Sequence, residues 1–215
     1  MVITRVKADQ AGVKDDENEV VATGWTSDPE DGATLSTSGT VTITITYDGK
    51  TCEQEVTVNA KVDLTTTLTS AQIKAGSGSS SYGSCSATDS NGFEYSAYAM
   101  KNQHSNATSD YNFWQIKKYA SSTAYYIQLP TFTGKIIKSI TLTVSSSNKA
   151  MDGGGNSSTL YFSSSNSTSS TGDGVVSGTG ASSITLDVES IGLSTGYITA
   201  SGAIRIWDIE ITYGN

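Results

Sequence analysis

"GTVTITITYDGKTCEQEVTVN", residues 39–59, alternates with a period of two. Val41, Ile43, Ile45 and Tyr47 interleave with threonines, and Cys52, Gln54, Val56 and Val58 share one face of the return. Successive side chains of a strand point to opposite sides of a sheet, so the pattern predicts two strands, each burying one face. Asp48-Gly49 between them is a pair that tolerates the positive φ angles of a two-residue hairpin turn. The segment therefore predicts a β-hairpin.

The same signal recurs to the end of the chain, and helical periodicity is nearly absent. "AYYIQLP", "KIIKSITLTVS", "STLYFSSS", "SSITLDVES" and "AIRIWDIEITY" read as strands. Ile136, Ile140, Leu142 and Val144 share a face, as do Leu160 with Phe162, and Ile184, Leu186 and Val188. In the last strand Ile204 and Ile206 point one way, while Trp207, Ile209, Ile211 and Tyr213 point the other. A bulge between Ile206 and Trp207 would turn both sets inward. About eight strands in the second part, without helices, predict a sandwich or jelly roll with long polar Ser/Gly loops at its ends.

The 215 residues suffice for one large or two small domains. Residues 1–62 hold 11 acidic and 5 basic residues (net −6), and residues 63–215 hold 10 and 8 (net −2). "VNAKVDLTTTLTS" is the expected boundary, giving domains 1–62 and 63–215. With a net charge of −8, duplex nucleic acid and anionic membranes are poor partners. No apolar run approaches the roughly 18 residues of a membrane helix, so no membrane insertion is expected. Cys52 and Cys85 are either one disulfide or two separate thiols.

Residues 20–60 resemble the last strands of a bacterial immunoglobulin-like repeat: a Trp-containing strand at "TGWTSD", then "GATLSTSGTVTITITY", a glycine turn and the closing "EVTVN". The resemblance implies an opening strand pair that is missing here, supplied by another chain, or dispensable. Unpaired edges in such a sandwich favour weak homodimers by strand exchange. A second resemblance rests on "DSNGFEY", "QIKK", "GKIIKSITLTV" and "WDIEITY", in that order. Together they look like a C-terminal β-sandwich module of gut Bacteroidetes surface proteins, similar in layout to galactose-binding-like or carbohydrate-binding jelly rolls. The expected fold is all-β: a short or truncated Ig-like β-sandwich followed by a jelly-roll-like β-sandwich.

"DYNFWQIKKYASSTAYYIQLP", residues 110–130, gathers six aromatic residues in a chain that is 8% aromatic. Alternation sends Trp114, Ile116, Tyr125, Ile127 and Leu129 to the core. Tyr119 and Tyr126 then remain as outward rings beside Lys117, able to stack on a sugar. Loop residues add Asn102, Gln103, His104, Asp152 and Asn156 as candidate ligand contacts.

Chemistry has fewer carriers. His104, the single histidine, lies in a polar loop with no cysteine nearby, so zinc and triad chemistry lack partners. Glu94, Glu189 and Glu210 would have to converge for glycoside hydrolysis, and none lies in a motif. No enzyme activity and no cofactor are expected. A structural calcium at Asp89, Asn91 and Glu94 in "ATDSNGFE" is considered, although the loop departs from the EF-hand pattern. Asn91-Gly92 at a hairpin tip is the simpler reading of that stretch. Sequons at Asn106, Asn156 and Asn166 place their loops at the surface.

The resemblances imply a non-catalytic, extracellular or cell-surface adhesion or carbohydrate-binding module, an Ig-like spacer carrying a recognition domain for a glycan or a surface protein. The alternative is a structural or decoration protein of a phage virion. The natural start codon separates the two: a genuine Met1 favours the virion, and an upstream secretion signal favours the surface.

Overall fold

The computed structural model describes residues 4–5, 20–21, 24–31, 33, 35, 38–58, 61–103, 112–118, 124–151, 155–166 and 174–215. Strands hold 55% of the described residues and helix 6%, an all-β composition. It divides into two compact units, Met1–Lys61 and Val62–Asn215.

In the first unit β1 (Thr4–Arg5) pairs antiparallel with β2 (Val20–Val21). β3 (Thr26–Asp28), β4 (Gly39–Tyr47) and β5 (Lys50–Val58) form a three-stranded sheet in that order. The expected hairpin is β4–β5, in register from Gly39 opposite Val58 to Tyr47 opposite Lys50. Asp48 and Gly49 take φ of 49° and 69°, the left-handed pair required by a turn that follows the strands' own twist. Val41, Ile43, Ile45, Val56 and Val58 are half-buried, and no described residue of this unit is fully buried. A shallow cleft of about 200 Å³ beside β3 is lined by Ser27, Pro29 and Ile43 among others. It is smaller than the several hundred Å³ usual for ligand sites.

The second unit begins with β6 (Leu64–Leu68) and a helix, α1 (Ser70–Ala75). The helix overturns the expectation of a helix-free domain. Its signal is "TSAQ": the Thr69 hydroxyl accepts from the Gln72 amide, and the Gln72 side chain accepts from the Thr69 amide. This capping box satisfies orphan donors that so short a helix would otherwise expose. Ile73 anchors it in the core.

Ten strands follow: β7 (Gly83–Thr88), β8 (Glu94–Gln103), β9 (Asn112–Ile116), β10 (Tyr126–Gln128), β11 (Ile136–Ser146), β12 (Leu160–Ser163), β13 (Val176–Gly178), β14 (Ser183–Asp187), β15 (Tyr197–Ala200) and β16 (Ile204–Gly214). With β6 that makes eleven among the described residues, against about eight expected. Short strands such as β10 and β13 bury at most one residue each and carry little alternation of their own.

The unit is a β-sandwich that closes almost into a barrel. One layer runs β14-β11-β16, and the far edge of β16 is shared by β9 along its first half and β6 along its second. The other runs β13-β12-β15-β10-β8, with β7 on the far edge of β8. β8 joins the layers, pairing with β7 and β10 at its start and with β9 at its end. Among the described residues no helix is long and apolar enough to cross a membrane.

Between the layers lies one hydrophobic core, with Trp114, Ile116, Ile127, Phe162, Ile198 and Ile209 all fully buried. Tyr125 is half-buried against it. Two bulges set the register. On β11 the ladder shifts between Ile137 and Ser139, so Ile137 enters the core and Ile136, expected there, is only half-buried. Lys138, the extra residue, is buried and pairs with Asp63 and, at 3.9 Å, with Glu189. On β16 the expected bulge falls at Trp207 and brings Ile204, Ile206, Ile209, Ile211 and Tyr213 into the core. Trp207 itself, expected there too, is the extra residue and is buried outside that core against Phe113. Cys52 is exposed in the first unit and Cys85 buried in the second; both are free thiols.

Candidate functional site

The outer face of the β8-bearing layer follows from alternation. Ala97, Ile127, Phe162, Ile198 and Ala200 point into the core, so their neighbours point out. In the ladders Tyr98 stands opposite Tyr126, Gln128 opposite Tyr197, and Tyr161 opposite Thr199. Tyr98, Tyr126, Tyr161 and Tyr197 thus share one face across four adjacent strands, each half-buried. The Tyr126 and Tyr197 rings meet edge to face at 5.6 Å. Between and beside them lie Ser84, Ser86, Ser96, Gln128 and Ser163, and the Ser96 hydroxyl donates to Gln128 Oε1 at 3.2 Å.

The rings continue toward β9. Tyr98 lies 6.0 Å from Tyr125, and Tyr125 meets Tyr82 edge to face at 4.9 Å. The Tyr82 hydroxyl accepts from Gln115 Nε2 at 2.8 Å, and Lys117 Nζ sits 4.2 Å above the Tyr82 ring. Burial pushes the Tyr82 phenol up, against the Gln115 donor that pulls it down. Beyond Gln115 the same face carries Arg205, Phe113 and Trp207. The Arg205 guanidinium covers the Phe113 ring at 4.4 Å, and Phe113 meets Trp207 edge to face at 4.9 Å. Burial lowers the Arg205 pKa.

The sequence candidates distribute unevenly over this geometry. Tyr126 lies in the centre of the tyrosine face. Asn102 lies on the same face of β8, opposite Phe113 in the ladder. Gln103 ends β8, opposite Asn112. Asn156 is buried, not on an exposed loop: its Nδ2 donates to the Ser158 and Gly180 carbonyls and its Oδ1 accepts from the Ser158 amide. Tyr119, His104 and Asp152 lie outside the described residues, as does the Asn106 sequon. Tyr98, Tyr161 and Tyr197 were missed. Tyr161 was legible from the pairing of Leu160 with Phe162, but Tyr98 alternates with alanines that carry little apolar signal.

Asp89, Asn91 and Glu94 are accounted for by a turn. Asp89 Oδ1 accepts from the Asn91 and Phe93 amides at 2.9 and 3.0 Å, and Oδ2 from the Thr66 hydroxyl at 2.6 Å. Asn91 Nδ2 donates to Thr66 Oγ1. The Gly92 amide closes on the Asp89 carbonyl, so Ser90-Asn91 forms the tip, one residue earlier than expected, and Gly92 follows at φ 84°. Glu94 is exposed while Asp89 is buried, on opposite sides of the hairpin. Among the described residues no three His, Cys, Asp or Glu side chains gather as a metal site would need. Glu94, Glu189 and Glu210 stand on β8, on a 3-10 turn (Glu189–Ile191) and on β16.

Tyr95, in the core beside Asp89, has its phenol pushed far up by burial and then by the neighbouring carboxylate. The folded state keeps a proton that the unfolded chain releases near the ordinary phenol value of 10.0. The protection is complete below that value and is lost above it, so stability should fall by about 1.4 kcal/mol per pH unit for this group. Cys85, raised by burial from 9.0, acts with the same sign one unit earlier. Melts from pH 8 to 12 check this: Tyr95→Phe should flatten the slope above pH 10, and an unchanged slope would discard Tyr95 as its source.

No family model, curated protein or solved structure matches the chain.

Proposed function

We propose that residues 62–215 form a non-catalytic carbohydrate-recognition module of a cell-surface or extracellular protein, carried beside an Ig-like spacer. The observation that carries this is the tyrosine face: Tyr98, Tyr126, Tyr161 and Tyr197 on four adjacent strands, interspersed with serines and Gln128. Sugars offer both an apolar C–H face and a rim of hydroxyls. Phenol rings cover the first with little conformational entropy to lose, and their own hydroxyls with Ser96 and Gln128 meet the second. The face is shallow, which fits weak recognition raised by several copies.

A glycan array probed with multivalently displayed protein tests it. Binding should fall about tenfold or more on Tyr126→Ala or Tyr197→Ala, the loss typical of a central aromatic contact, with the circular dichroism spectrum unchanged. Binding that survives both substitutions would place the ligand elsewhere.

A further inference from the structure

We infer that the glycan held on the tyrosine face is acidic, with its uronate or sulfate group seated at the Lys117 end. This rests on the glycan reading above and adds to it the charge and the polarity of the ligand.

The face is uncharged over most of its width. On β7, β8, β10, β15 and β12 its described residues are serines, threonines, tyrosines, Gln128, Asn102 and Met100, with Glu94 at one tip. The ring series then leads away from Glu94, through Tyr98, Tyr125 and Tyr82, to Lys117. Six residues of β8 separate Glu94 from Met100, about 20 Å of strand, so the carboxylate lies beyond effective range of the cationic end in physiological salt.

Lys117 and Lys118 are exposed and have no carboxylate partner among the described residues. Arg205 stands behind Lys117 on the same face, its Nη1 donating to the Lys149 carbonyl at 2.8 Å and its Nε to Gln115 Oε1 at 3.5 Å. Asp208, three residues along β16 from Arg205, spends Oδ1 on the Ser70 amide. Two positive charges, Lys117 and Arg205, therefore gather at one end of an aromatic face in a protein of net charge −8, with Lys118 adjacent in the chain but bridged to core-facing Ala200.

An ammonium over a phenol ring is held in place without being neutralised, so its charge stays available to a ligand anion. Gln115, bonded to both Tyr82 and Arg205, fixes the ring and the guanidinium in register. A neutral sugar chain needs none of this, whereas an acidic chain stacked along the tyrosines presents a carboxylate or sulfate where Lys117 waits.

Matched ligands test the inference: an oligogalacturonate against its carboxyl-reduced form, and a sulfated oligosaccharide against its desulfated form. At least one acidic member should bind about tenfold more tightly at low salt, with the preference shrinking as sodium chloride is added. Lys117→Gln should bring the acidic member's affinity down toward its neutral counterpart's, while Tyr126→Ala weakens both members together. Equal binding within both pairs would overturn the acidic preference and leave the glycan reading standing. So would a preference that survives Lys117→Gln combined with Lys118→Gln. Failure of every member to bind would overturn the tyrosine face itself as the site. Oligodeoxythymidylate shares the chemistry of stacking and phosphate contact; tighter binding of that probe than of any acidic glycan would overturn the inference in favour of single-stranded nucleic acid.

Discussion

Asp89→Ala should lower the melting temperature of residues 62–215 by about 10 °C. The side chain is 6% exposed, and its two oxygens hold different parts of the fold. Oδ1 caps the β7–β8 turn through two amides, while Oδ2 accepts the Thr66 hydroxyl and so ties that turn to β6. Hydrogen bonds to a charged group contribute about 1.5–3 kcal/mol each. The two turn amides sit beside exposed Asn91 and Gly92 and can find water once the carboxylate is gone, which reduces the sum to about 3–4 kcal/mol. At about 2–4 °C per kcal/mol for a domain of this size, the shift follows. Asp89→Asn keeps an acceptor at Oδ1 for the turn and loses the one facing Thr66, so it should fall about halfway between. Thermal melts of the three proteins decide. An alanine variant within a degree or two of the parent would mean that the turn and β6 hold together without this carboxylate.

The hairpin β4–β5 could be read to the residue because everything it needs is local: alternation, and a turn pair tolerant of positive φ. The buried faces of β11 and β16 were nearly as plain, since each carries three or more apolar side chains of one parity, and the pairs Leu160 with Phe162 and Ile184 with Leu186 marked those of β12 and β14. Parity fails where a strand is interrupted. The Ile137/Ser139 shift cannot be seen in "KIIKSITLTV", because Ile136 and Ile137 are equally apolar and only the partner strand selects between them. The helix at Ser70 was overlooked for want of periodicity in six residues, although its capping box was spelled out.

The tyrosine face shows the same limit at larger scale. Tyr98, Tyr126, Tyr161 and Tyr197 come from four segments spread over about a hundred residues, and only strand order makes them neighbours. Tyr126 could be selected from sequence as outward, but its company could not. Asp89 offers the complementary case. Its turn was legible, whereas Thr66, which pairs with it across 23 positions, was not.

Deletion of Trp207 should abolish folding of residues 62–215, while Trp207→Ala should cost about 3–5 kcal/mol and leave the fold in place. The difference isolates the bulge from the side chain. On β16, Asp208 pairs with Thr143 but Ile206 pairs with Val144, so Trp207 is one residue more than β11 can match. That extra residue lets Ile204 and Ile206 face the core together with Ile209, Ile211 and Tyr213, although the two sets differ in parity. Without it the strand is regular, and one set must turn outward. Turning the shorter set exposes two isoleucines, about 1.5–3 kcal/mol each, and drives Arg205 inward away from Gln115 and the Lys149 carbonyl. A buried guanidinium without partners adds several kcal/mol more, enough to exhaust the margin of an ordinary domain. Substitution is milder because the register survives. Trp207→Ala opens a cavity beside Phe113, and Trp207→Phe loses chiefly the bond from Nε1 to Ser145 Oγ, about 1 kcal/mol. Denaturant unfolding should therefore rank parent, phenylalanine and alanine in that order of stability, with the deletion lacking any cooperative transition. A deletion variant that unfolds cooperatively near the alanine variant would show that β16 tolerates a one-residue slip, and the bulge would then have no part in holding both isoleucine sets in the core.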